Sequence, residues 1–181
     1  MLTIVSHRAP VIDEFYPSTL LSIVYPSGKD VVLGNQLTMV DTAQVPEVTF
    51  ISDDPNATYT LVMVGLVCER VREGFPSTSE FRPTNQQFGQ WRHWVVTNIS
   101  GAAPSIASAE QHTPYIGPGP GPDTGVHRYL FLLYKQTRGI TQFRVMPHEK
   151  PHRRYFKARE FAAENGLELV SANFFLCENK A

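Results

Sequence analysis

Residues 115–136 read YIGPGPGPDTGVHRYLFLLYKQ, a stiff loop that runs straight into a strand. Pro118, Pro120 and Pro122 fix φ and carry no backbone N–H, so the first half fits neither a helix interior nor a central strand. Gly117, Gly119 and Gly121 alternate with them and permit close backbone approach. The second half alternates with period two: His127, Tyr129, Phe131 and Leu133 on one face, Leu130, Leu132 and Tyr134 on the other. Both faces are apolar below the histidine, which predicts an interior strand covered on both sides. His127 stands at the mouth of that strand beside a rigid wall of backbone, the setting for a small pocket.

Working outward, residues 20–25, 30–33, 47–51, 58–67, 93–99, 141–145 and a last segment near 167–177 also read as strands. They are rich in Val, Ile, Thr and aromatics and are separated by Pro, Gly, Asn and Asp. One helix is expected over 155–165, stopped by Gly166. Many strands and few helices predict a mainly β protein, a β-sandwich or large antiparallel sheet with a few peripheral helices. At 181 residues, the whole chain (1–181) is expected to form a single domain with a substantial core.

Sixteen basic residues oppose 17 acidic ones, so the chain is not built to bind nucleic acid or a membrane surface. Apolar runs are short, and no transmembrane helix is expected. The opening MLTIVSHRAP lacks the basic and apolar regions of a secretory signal, which points to a cytoplasmic protein unless a signal has been removed. Only Cys68 and Cys177 are present, too few for a disulfide framework. Asn56-Ala57-Thr58 and Asn98-Ile99-Ser100 match the glycosylation sequon, a pattern frequent by chance.

His148-Glu149-Lys150-Pro151-His152 spells the H-E-x-x-H pattern of zinc proteases, whose chemistry needs both histidines one helical turn apart. Pro151 lies inside that turn, so a polar loop is expected and no metal or cofactor is assigned. The basic run His152, Arg153, Arg154, Lys157, Arg159 alternates with Glu149 and Glu160 and reads as a solvated helix start. The Gly-Pro loop is not a phosphate cradle either, because its prolines remove the backbone donors. No nucleophile elbow is present. His93 and His127 each open a strand, and Tyr129 shares the face of His127. Neighbouring strands would let the two histidines meet at one sheet end, although by spacing alone two separately satisfied histidines are the plainer reading.

The chain resembles the phosphatidylethanolamine-binding protein family over nearly its whole length. The most specific match is Tyr115-x-Gly117-x-Gly119-Pro120 leading to Thr124-Gly125-Val126-His127-Arg128-Tyr129. His93-Trp94-Val95-Val96-Thr97-Asn98-Ile99 is similar to the family's second pocket strand, and Tyr59-Thr60-Leu61-Val62-Met63 to the strand feeding its first motif. Phe15-x-Pro17-Ser18, Tyr25-Pro26-x-Gly28 and Leu33-Gly34-Asn35 resemble fungal members in particular, and Arg159-Glu160-Phe161 with Asn173-Phe174-Phe175 the family's C-terminal end. The resemblance implies a small anion-binding pocket lined by His93, Pro120, His127 and Tyr129.

The family's D-P-D-x-P motif is missing. Gly65-Leu66-Val67-Cys68-Glu69 stands in its place, so Gly65 and Val67 occupy the positions of the two pocket aspartates, and Gly121 replaces a usual proline. Losing two carboxylates withdraws support for a charged imidazole and also removes repulsion of an anion. The resemblance then implies a carboxylate, dicarboxylate or anhydride ligand touched by His93, Pro120, Gly121, His127, Tyr129, Gly65 and Val67, with His93, His127 and Tyr129 as candidate catalytic groups. The setting it suggests is fungal polyketide or maleic-anhydride-type biosynthesis, with a biosynthetic enzyme as partner. The competing expectation is an interaction module, a serine carboxypeptidase inhibitor or kinase-pathway regulator. Residues 70–90, longer than the family pattern and carrying Phe75, Phe81 and Phe88, are expected to form a lid or a partner surface.

Overall fold

The structure, a computed structural model, describes residues 15–68, 89–122 and 124–180. Antiparallel strands dominate it, as the alternating sequence predicts. Strands β1 (Leu21–Val24) and β2 (Glu47–Phe50) pair as a two-stranded ribbon. Strands β3 (Thr58–Cys68), β4 (Trp91–Ser100), β5 (Glu110–Thr113), β6 (Val126–Gln136) and β7 (Leu167–Glu178) form a five-stranded sheet in the order β5-β4-β3-β6-β7. Helix α1 (Ala158–Asn165) is the only α-helix among the described residues, and Gly166 ends it at φ 63°, ψ 49°.

Strand β6 lies between β3 and β7, with apolar side chains on both faces. On one face Phe131 and Leu133 join Leu61, Met63, Trp94 and Phe175 beneath the ribbon residues Ile23, Val48 and Phe50. On the other, Leu130 and Leu132 pack with Val62, Val64 and Val95 against Ala158, Phe161 and Ala162 of α1. Each such side chain, fully withdrawn from water, contributes roughly 1.5–3 kcal/mol. Two layers therefore cover the central sheet, and its rows of residues carry the site at one end.

Three local expectations are corrected. Residues 30–33 form no strand beyond an Asp30–Val24 bridge. Side-chain amides take the ladder's place: Val32 N donates to Asn35 Oδ1 at 2.8 Å and Leu33 N to Asn173 Oδ1 at 3.0 Å. Residues 141–145 form no strand either, because Thr141 N donates to Asn98 Oδ1, Asn98 Nδ2 donates to Thr141 O, and His112 Nε2 bonds Arg144 O. The same contacts engage the amide of the second sequon. The helix begins at Ala158 rather than 155, since Tyr155 is left-handed at φ 58° and Phe156 N donates to Gln90 O. Strand β5 (EQHT) lacks an apolar alternation and was not anticipated.

Candidate functional site

The register of the sheet stacks two rows at the end of β3. Val67, His127 and Cys177 stand opposite one another, and Gly65, Tyr129 and Phe175 form the next row. Cys177, Tyr129 and Phe175 of these rows lie on the face beneath the ribbon. His93 arrives by a different device. The pairing of β3 with β4 slips between Met63↔Trp94 and Val64↔Arg92, leaving His93 as the extra residue of a β-bulge. The bulge lets His93 and Trp94 both face the side on which Tyr129 lies.

The two histidines meet on Tyr129. Its ring lies 5.0 Å from that of His93, edge-on at 76°, and 6.4 Å from that of His127, nearly parallel at 18°. Phe175 stacks on Tyr129 from below at 5.2 Å. Gly65 makes the close approach possible: a methyl group there would sit 2.7 Å from His93 Nε2 and 3.2 Å from Tyr129 Cε1. An aspartate at position 65 therefore could not coexist with this histidine position. Val67 lies beside His127 at the level of the backbone.

Hydrogen-bond partners set the tautomers. His93 Nδ1 lies 2.7 Å from the Ile116 carbonyl, which can only accept, so Nδ1 carries the proton and neutral His93 turns the Nε2 lone pair toward Gly65. Thr124 Oγ1 lies 2.8 Å from both Gly121 O and His127 Nε2. Its single hydroxyl proton satisfies both contacts when it donates to the carbonyl and accepts from His127 Nε2–H. Burial, followed by the charges of Arg153 and His127, lowers the pKa of His93 to about 4. Burial also lowers that of His127.

Arg153 ties the bulge down. Its Nη1 donates to His93 O at 3.0 Å and Pro114 O at 2.8 Å, and its Nε to His148 O at 2.7 Å. Its guanidinium lies 5.6 Å from the Trp91 ring, which packs 4.3 Å from His93. Arg92 beside it donates to Pro147 O at 2.6 Å, and burial and Arg153 lower its pKa to about 10. The expectation of a solvated basic run is thus wrong for Arg153, which is 2% exposed. The H-E-x-x-H stretch is a 3₁₀ turn at Lys150–Arg153 rather than a helix, and His148 Nε2 bonds His112 O. Among the described residues no group of three metal-ligating side chains forms.

The Gly-Pro loop closes a side of the site. Tyr115 donates to Thr42 O at 2.7 Å, its hydroxyl lies 3.2 Å from that of Tyr25, and Asn179 donates to Pro120 O. Pro120 is buried and Gly121 half-buried, both within the loop that Thr124 fastens to His127. Burial pushes the Tyr115 phenol up to about 12 and the Cys177 thiol up to about 11, so both are neutral at ordinary pH. A separate cleft of about 480 Å³, lined by Leu20, Ile51, Tyr59, Lys135, Glu168 and Val170, opens at the other end of β3. That end is six residues from Gly65, on the order of 20 Å away.

Trp91, Thr124, Ile116 and Arg153 belong to the site but were not singled out for it from the sequence. Trp91 acts through its ring and Ile116 through its carbonyl on a His93 that the bulge places, and a bulge has no signature in the strand pattern. Of the 70–90 insertion, residues 70–88, with Phe75, Phe81 and Phe88, lie outside the described residues.

Comparison with known proteins agrees with this architecture. The family model for phosphatidylethanolamine-binding protein matches residues 27–175. CEN-like protein 1 of Nicotiana tabacum is 33% identical over 171 residues, covering 91% of this chain and 84% of its own. The 26 kDa secreted antigen of Toxocara canis is 36% identical over 131 residues, 72% of this chain and 44% of its own. A carboxypeptidase Y inhibitor, solved in complex with its cognate proteinase, has a TM-score of 0.71 at 25% identity, covering 92% of this chain and 86% of that one. The phosphatidylethanolamine-binding protein from Plasmodium vivax shares the fold, with a TM-score of 0.68 at 22% identity over 91% and 87% of the two chains. The chain belongs to the phosphatidylethanolamine-binding protein family.

Proposed function

We propose that this protein binds a small anionic organic molecule, a carboxylate, dicarboxylate or anhydride, at the end of the sheet where His93, His127 and Tyr129 converge. Pro120, Gly121, Gly65 and Val67 complete its surroundings. The observation that carries this reading is electrostatic: His93 feels the positive charge of Arg153, while no carboxylate of the described residues acts on either ring. Among the described residues a cation would find no counter-charge there, whereas the Arg153 guanidinium favours an anion. The setting we favour is fungal secondary metabolism of the polyketide or maleic-anhydride type. In its catalytic form, neutral His93 accepts a proton α to a carbonyl through Nε2 while Tyr129 or His127 stabilises the enolate. Purified protein with an anhydride-type precursor tests this. His93→Ala and His127→Ala are each expected to abolish turnover, and unchanged rates in the double variant refute the catalytic form.

A second reading, an interaction module that inhibits a serine carboxypeptidase or regulates a kinase pathway, draws support from the likeness to the carboxypeptidase Y inhibitor. The two separate in one assay. A ligand-binding site yields a rise in melting temperature that grows with dicarboxylate concentration. An inhibitor blocks carboxypeptidase hydrolysis and is indifferent to His93→Ala.

A further inference from the structure

We infer that the site takes up its carboxylate together with one proton, which is held on His93 Nε2 against the guest. This rests on the anion-binding reading above and adds to it the protonation state in which the ligand is held. His93 has spent its only N–H on the Ile116 carbonyl at 2.7 Å, and its remaining nitrogen faces the site across Gly65 as a lone pair. The N–H of His127 is turned to Thr124 at 2.8 Å. A bare carboxylate would bring oxygen lone pairs against a nitrogen lone pair, which is repulsive, and one proton between them turns the contact into a charge-assisted hydrogen bond.

The groups facing the two rings are few. Tyr129 stands between them on β6, and Cys177 stands beside His127 on β7, while Arg153 approaches from the 3₁₀ turn and Trp91 stacks without charge from β4. The loop presents the Ile116 carbonyl, and β3 presents Gly65, which has no side chain. Asp41 acts on Cys177 and not on either ring. Among the described residues, then, no carboxylate acts on His93 to hold a proton there. Burial and Arg153 keep that proton off in the free protein. In the bound state an N–H bond forms at Nε2, the proton comes from solvent, and no other covalent bond changes.

Acetate and oxalate, ionised throughout the range, serve as probes in calorimetric titrations of the whole chain between about pH 6 and pH 8, each in two buffers of different ionisation enthalpy. Uptake of close to one proton per bound anion is expected, with Kd weakening about tenfold per pH unit. Binding with no proton uptake and a flat affinity overturns this inference and leaves anion binding standing. Failure of both anions to bind at every pH overturns the two together. His93→Gln keeps a side-chain hydrogen-bonding group but has no titrating nitrogen and is expected to lose the uptake. Uptake that survives in that variant overturns the assignment to His93, and the wild-type titration decides the rest without it.

Discussion

A methyl group on Gly65 has nowhere to go, since its carbon would fall 2.7 Å from His93 Nε2. We expect Gly65→Ala to displace that ring, lowering stability by about 1–3 kcal/mol and removing the response to carboxylates. Thermal melts with and without ligand check both effects, and an unshifted melt contradicts the close packing. His93 also gives the fold a pH dependence. Its folded pKa of about 4 lies below the unfolded value of 6.5, so the unfolded chain binds more protons between those limits. Stability from this residue is complete above the unfolded value and is lost as pH falls toward the folded one, by about 3 kcal/mol in all. Denaturant melts across that window are expected to fall for the native chain and to flatten in His93→Gln. An equal slope in both would show that His93 is not held neutral. The sequence made His93, His127 and Tyr129 readable because each opens or follows a strand mouth. Their tautomers were not readable, because they depend on carbonyls of Ile116 and Gly121 that only the folded loop brings near.

At the scale of elements, strand β6 was legible because both of its faces are apolar, a pattern that only an interior strand satisfies. Residues 141–145 alternate Thr, Phe and Val with Gln and Arg as a half-buried strand would, yet form no strand, since Asn98 and His112 satisfy their backbone from the side. Polar side chains that imitate a ladder leave no periodic trace. The bulge at His93 is held by Arg153, whose donors reach the carbonyls of Arg92, His93, Pro114 and His148. Arg153→Met keeps much of the packing volume and removes those donors, a loss of about 0.5–1.5 kcal/mol for each hydrogen bond, while His93 O keeps its bond from Ile116 N. A second readout separates positioning from mere stability. If Arg153 aims His93 and repels its proton, the imidazole of the folded variant titrates at higher pH than in the native chain. An unchanged titration contradicts that role.

Across the molecule, the layered architecture puts the histidine site at one end of β3 and the open cleft at the other, with the core residues Leu61 and Met63 between them. Ligand binding at the histidines is therefore expected to leave the signals of Tyr59 and Lys135 unmoved, which a chemical-shift map checks. Family membership was legible in the Gly-Pro/His-Arg-Tyr stretch, and the proposal that the site takes acids rather than ammonium-bearing guests rests on the missing aspartates. Imidazole nitrogen NMR of the native chain tests this directly near neutral pH. His93 Nε2 is predicted to resonate as an unprotonated nitrogen in the free protein and to move to the protonated position when acetate or oxalate saturates the site. A protonated Nε2 before ligand is added, or one that stays unprotonated at saturation, would contradict the account.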